Sequence, residues 1–171
     1  EIAKLRKTLA HARYRFTDTP RQAGEIAIIP LIGLGARQNE LNQALLQLVM
    51  QSRHELTLLT PYFNLPAPLH RALRRQIKAG CRVTIVLGDK TANDFYIPPE
   101  EPFKTIGALP YLYESNLRRF CKTNQAFIDA GILDVRIWKD GNNTFHLKGL
   151  LADDDLALLT STNSNPRGWQ L

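Results

Sequence analysis

Cysteine and histidine are scarce in this chain, which holds two cysteines and four scattered histidines in 171 residues. Cys81 and Cys121 fall in a predicted strand and a predicted helix with no pairing or ligand spacing. They read as free buried thiols of a reducing compartment and exclude a disulfide framework. With no cluster of either residue type, no structural metal is expected. Long apolar runs are missing too: nothing approaches the roughly 20 residues that a membrane-spanning helix requires. No secretory leader is visible, and the opening residues read as mid-helix without a Met, so the natural N-terminus is expected upstream. Acidic residues are outnumbered, 16 against 22 basic, which leaves a formal charge of +6 and a pI of about 9.6. That balance points to an anionic partner, and nucleic acid, anionic lipid and nucleotides fit it equally.

What remains is ordinary material for one soluble domain with a real core, 44% hydrophobic and 22% charged. Residues 1–16 place Ile2, Leu5, Leu9, Ala12 and Phe16 at helical spacing among basic side chains. A surface helix is the preferred reading over a helix lying on an anionic bilayer. A turn-rich connector runs to residue 24, so the division expected is a basic helix and connector over 1–24 and a main domain over 25–171. Residues 26–34 predict a buried strand, irregular at Pro30. Gly33-Leu34-Gly35 leads into a helix from about residue 39 to 53, and an ordinary tight turn is preferred over a phosphate-cradling loop because Gln38 occupies the third glycine position.

A short apolar strand at 56–60 ends in Pro61-Tyr62-Phe63-Asn64-Leu65-Pro66, at the carboxyl end where α/β sheets collect ligands. Tyr62 and Asn64 there suit a polar pocket mouth. The helix over 69–79 carries Arg71, Arg74, Arg75 and Lys78, for which a solvated face accounts in the main. After the strand at 82–87, residues 88–99 form a loop too long and polar to be mere connection. In it Lys90 suits a phosphate, Asn93 and Asp94 a base edge or an amine, and Phe95 or Tyr96 a stacking contact. Residues 101–130 predict a helix broken near Pro110. Its Tyr111, Leu112, Tyr113, Leu117 and Phe120 lie near arginines, as either a headgroup-level surface or a core stripe. A strand at 133–138 and the turn signal Asp140-Gly141-Asn142-Asn143 then predict a hairpin.

The chain is organised around residues 144–167. Phe145, Leu147, Gly149 and Leu151 alternate with His146, Lys148 and Leu150, which predicts a strand. Period-two geometry puts His146 and Lys148 on one face. An ammonium donates no lone pair, so the pair suits a phosphate diester better than a metal. Asp153 lies at an odd offset from His146, in a turn with Asp154 and Asp155, and reads as a supporting carboxylate. A second strand over 156–160 returns to Ser161, Thr162, Asn163 and Asn165, whose hydroxyls and amides suit phosphate oxygens or the imidazole. Taken alone, these residues also fit a hairpin with an ordinary polar face.

His146-x-Lys148-x4-Asp153, followed by Thr160-Ser161-x-Asn163, resembles the HxKxxxxD…GSxxN signature of the phospholipase D superfamily, with Thr160 where Gly is frequent. TPYFNLP (60–66), GDKTANDFYIP (88–98), EPFKTIGALPYLYESNLRRF (101–120), FHLKG (145–149) and NPRGW (165–169) resemble the bacterial phosphatidylserine synthases of that superfamily. The resemblance implies a phospholipase D-like α/β sandwich, present as the second half of a two-motif enzyme and truncated at both ends. It implies transfer of a phosphatidyl group from CDP-diacylglycerol to L-serine, giving phosphatidylserine and CMP through a phosphatidyl-histidine. It implies catalytic roles for His146, Lys148, Asp153, Ser161 and Asn163, and substrate contacts from Tyr62, Asn64, Lys90, Asn93, Asp94, Tyr96, Asn165 and Arg167. No cofactor is expected. The expected partners are the missing N-terminal half, an anionic membrane surface on the cytoplasmic side, and a second copy of the chain. A cardiolipin-forming or hydrolytic relative and a silent binding module are the competing readings.

Overall fold

The computed structural model describes residues 2–4, 26–33, 35 and 39–170, so nearly all of the expected N-terminal basic helix and connector lies outside the described residues. The first full helix, α1 (Glu40–Gln51), starts where Asn39 accepts a hydrogen bond from the Asn42 backbone N–H through its side chain. β1 (Glu55–Thr60), α2 (Ala67–Lys78) and β2 (Arg82–Gly88) follow. Gly80, at φ +88°, closes α2 in the left-handed conformation that glycine adopts without strain. Then come α3 (Leu109–Thr123), α4 (Gln125–Asp129), β3 (Leu133–Trp138), β4 (Gly149–Ala152), β5 (Leu156–Leu159) and α5 (Pro166–Gln170).

The five strands form one sheet in the order β3-β2-β1-β4-β5. β1, β2 and β3 run parallel, as helical crossovers require, while β4 is antiparallel to β1 and β5 to β4. Alternate residues of each strand face the helices. Leu56, Leu58, Val83, Ile85, Leu133, Leu150 and Ala152 share one core cluster with Val49 of α1, Leu69, Leu73 and Ile77 of α2, and Phe120 of α3. Burying each of the large aliphatic side chains contributes about 1.5–3 kcal/mol. This mixed sheet with flanking helices is the α/β class expected.

Four local expectations are corrected. Residues 26–33 form no strand, and Ile26, Ile28 and Ile29 are exposed. The apolar run marked a buried strand, but nothing in the sheet pairs with it. Pro110 starts α3 instead of breaking a helix, because a first-turn residue has no N–H partner to lose. The turn at 140–143 forms, with Asn143 N–H bonded to the Asp140 carbonyl at 2.9 Å, yet it makes no hairpin. The following strand pairs with β1, two strands away from β3. Finally, β4 begins at Gly149, five residues later than the alternation suggests. Leu147 and Leu151 are exposed, and Lys148, Leu150 and Ala152 are buried. The face carrying the lysine is therefore the core face.

Candidate active site

The parallel strands β1 and β2 end together. Their carboxyl ends open into the loops beginning at Pro61 and Asp89, where the sheet's hydrogen-bonding edges stop and polar groups become available. Residues 144–148 cross this end of the sheet before β4 begins. The Phe145 N–H donates to the Ala92 carbonyl at 3.1 Å, and the Phe145 ring packs on Trp138. Gly88 permits the crossing, since a Cβ there would stand 2.9 Å from the Phe145 Cβ and 3.2 Å from the Pro61 carbonyl oxygen.

That crossing presents His146 at the surface, its side chain 63% exposed, above a buried Lys148. The Lys148 ammonium donates to the His146 backbone oxygen at 2.7 Å and stands 3.4 Å from the ring Nδ1. An ammonium has no lone pair, so Nδ1 faces it as the acceptor and the ring proton belongs on Nε2. Nε2 meets the Asp94 carboxylate at 2.5 Å, consistent with donation to a charged acceptor. Burial pushes the Lys148 ammonium below the usual lysine range, and the Asp94 charge acts the other way. The arrangement can hold an anion against a fixed cation and pass a proton at Nε2.

A cavity of about 60 Å³ adjoins the ring, lined by Tyr62, Asn93, Asp94, Phe95, Phe145 and Asn163 among others. The side-chain oxygen of Asn163 is buried there without a partner, an acceptor available to a donor on a ligand. Tyr62 stacks on Tyr113 at 4.3 Å and accepts a hydrogen bond on its hydroxyl from Asn165 at 3.0 Å. Burial raises the Tyr62 phenol, with Asn165 opposing, so it stays protonated in the neutral range.

The remaining expected residues divide. Asn93 lines the cavity, but its side chain is spent on a turn, accepting from the Phe95 N–H at 2.9 Å. Asn165 also has a structural task, accepting from the Gly168 N–H at the start of α5. Lys90 stands away from His146, paired with Glu114 at 3.3 Å and over the Tyr111 ring. Tyr96 and Arg167 do not line the His146 cavity, nor does Ser161, and Asn64 lines a different one.

Asp153 lies in a turn as the supporting carboxylate expected from its offset and does not touch His146, although the resemblance placed it in the catalytic set. Its carboxylate accepts the backbone N–H groups of Arg53, His54 and Glu55 at 2.9–3.1 Å, at the start of β1 and the far end of the sheet from His146. Those bonds lower its acid from the ordinary aspartate value. Its own φ of +50° belongs to the tight turn that brings it there. Sequence reading missed the ring partner Tyr113, the Glu114 that occupies Lys90, and the wall formed by Phe145. Only the turn residues around 88–99 hinted at them, since loop-to-helix packing has no spacing signature.

The family model described as "Cardiolipin synthase, PLD-like domain" matches residues 45–171. The chain is 50% identical over 99% of its length to a CDP-diacylglycerol–serine O-phosphatidyltransferase of Haemophilus influenzae. It is 47% identical over its whole length to CDP-diacylglycerol–serine O-phosphatidyltransferase PssA of Escherichia coli. In both cases it spans only 38% of the relative's length. The crystal structure of phosphatidylserine synthase from Haemophilus influenzae superposes with a TM-score of 0.92 at 50% identity, over 99% of this chain and 38% of that one.

Proposed function

Since the chain belongs to the family of PLD-like domains described as cardiolipin synthase, we propose that it forms one catalytic half of a CDP-diacylglycerol–serine O-phosphatidyltransferase. The observation that carries this reading is an exposed imidazole, with a buried ammonium behind it, in a chain 50% identical to such an enzyme. A companion half of the same polypeptide supplies the second His-x-Lys motif.

In this mechanism the companion histidine attacks the phosphorus next to diacylglycerol. A P–N bond forms as the P–O bond to CMP breaks, and the Nε2 proton of His146 passes to the departing oxygen. His146 then takes the proton of the serine hydroxyl as serine oxygen attacks the same phosphorus and the P–N bond breaks. Lys148 stabilises charge on the non-bridging oxygens throughout. Asp94 releases the ring as the phosphate arrives, and the unpaired Asn163 oxygen accepts from the ammonium of serine.

No described helix is long and apolar enough to cross a membrane. Lipid substrate is reached from the cytoplasmic surface, through exposed Phe103, Ile106, Tyr111 and Leu112 beside Lys104 and Arg118. Binding to vesicles should strengthen with anionic lipid and weaken with salt. Equal binding to neutral vesicles would contradict that surface.

The activity is tested by giving the full-length enzyme CDP-diacylglycerol labelled in the phosphate next to glycerol, with and without serine. CMP release that requires serine, with label in phosphatidylserine, is expected. Release indifferent to serine indicates a hydrolase, and label in a doubly glycerol-linked lipid indicates a cardiolipin-forming enzyme.

A further inference from the structure

Of the four cations on α2, the sequence gives no reason to separate Arg74 from its neighbours, but the structure does. Arg71, Arg75 and Lys78 are exposed, whereas Arg74 is half-buried and its Nε is sealed from solvent with no hydrogen-bond partner. The residue as a whole lines a cavity of about 300 Å³ between α2, α3 and the loop after β1, in the size range of small-molecule sites.

The lining of that cavity has one electrostatic sign. Arg74 and Arg119 contribute guanidinium groups, and no Asp or Glu takes part. Thr123 and Asn124 turn their side-chain donors back onto carbonyls of their own helix, Arg119 and Phe120 respectively. The side chains left to a ligand are therefore Asn64, His70, Arg74, Asn116 and Arg119, from three separate elements. Burial and then the two neighbouring arginines, Arg74 and Arg71, hold the His70 imidazole below its usual pKa. His70 also leans edge-on against Phe120 at 5.5 Å, and Phe63 packs beside that ring. One wall is thus cationic and amidic, the other aromatic.

We infer that this cavity is a second binding site, distinct from the one at His146, for a small phosphate ester whose phosphate lies between Arg74 and Arg119 and whose organic body rests on Phe63 and Phe120. Donors arriving from three directions suit an anion with three terminal oxygens better than a planar carboxylate with two. Forked guanidinium groups bind phosphate oxygens in pairs. The aromatic wall favours an ester over bare phosphate. The inference does not depend on which reaction His146 performs, because no residue is shared between the two cavities.

Calorimetric titration of the whole polypeptide with inorganic phosphate, glycerol 3-phosphate and CMP tests it, with the His70 ring resonances as a local reporter. At least one ester should bind saturably and more tightly than inorganic phosphate, and should move those resonances. The ester that binds tighter identifies the body. Arg74→Gln and Arg119→Gln should each weaken binding roughly tenfold. Asn116→Asp, which sets a carboxylate among the donors at a half-buried position, should abolish binding while leaving the unfolding midpoint near that of the parent. His146→Ala should bind the ester as the parent does. No saturable binding by any probe overturns the inference, as does binding that survives both arginine substitutions or disappears with His146→Ala.

Discussion

The two ends of the sheet treat a carboxylate in opposite ways. At the amino end of β1, Asp153 is tied to three consecutive backbone N–H groups. At the carboxyl end, Asp94 meets an exposed imidazole from the loop after β2. One acid pins the start of β1 through main-chain bonds, and the other meets the ring of His146. Motif spacing cannot distinguish them, because Asp153 belongs to the HxKxxxxD pattern and Asp94 does not. A motif therefore records what must be covalently close, and the partner that touches the reacting ring can come from anywhere.

Substitutions at the two ends should separate chemistry from architecture. His146→Ala should lower serine-dependent CMP release by about 10²–10⁴-fold, the usual range for a lost acid–base group. Its unfolding midpoint should stay put, since the ring is exposed. Lys148→Ala should cost about 10²–10³-fold in kcat, as removal of one oxyanion donor does. A kcat within twofold of the parent would remove Lys148 from the mechanism. Asp94→Asn should reduce kcat by roughly tenfold, at the low end of what a mispositioned acid–base group costs. It should leave thermal stability unaltered, and a shift confined to the unfolding midpoint would make Asp94 structural.

Two further substitutions should act first on stability, one beside Lys148, where Gly149 pairs with Leu59 near the carboxyl end of β1, and one at the amino end. Gly149→Ala forces a Cβ onto the Leu158 carbonyl oxygen across the β4–β5 pair. Overpacking of that kind costs about 1–3 kcal/mol, measurable by urea unfolding. Asp153→Asn should show a smaller effect with a pH signature. The folded-state pKa of Asp153 is depressed, so its contribution is fully present above the ordinary aspartate pKa and fades as pH falls through the lower folded value. The parent should therefore lose stability across that acidic window and the variant should lose less. Parallel acid-unfolding curves would show that the three N–H bonds contribute nothing.

Most of the architecture was legible because its signals are local. Asn39 and Gly80 mark helix ends by their own chemistry, and the strands at β1, β2 and β3 fall where apolar runs predict them. The failures came where pairing partners decide the outcome. The described part of the apolar run, 26–33, finds no strand beside it, and Asp140-Gly141 makes a turn whose following strand crosses to β1. In the candidate site, His146 and Lys148 were legible as neighbours on one face, a matter of period two. That this face points inward, with His146 beyond the sheet's end and Lys148 beneath it, was not. Alternation cannot tell a core row from an outer row when functional residues occupy the core positions. Asp94 was named from its loop as a substrate contact, but its contact with His146, the stacking of Tyr113 and the cavity at Arg74 depend on how loops and helices meet, and spacing carries no trace of that.

The claim on which all of this rests is that His146 presents its proton outward on Nε2 while Lys148 occupies the side of Nδ1. The ¹⁵N spectrum of the imidazole in the resting protein at neutral pH reads that directly. The account predicts a protonated Nε2 and an unprotonated, hydrogen-bonded Nδ1, with the Nε2 signal altered in Asp94→Asn. A ring protonated on Nδ1 alone, or one blind to the loss of the Asp94 carboxylate, would contradict it.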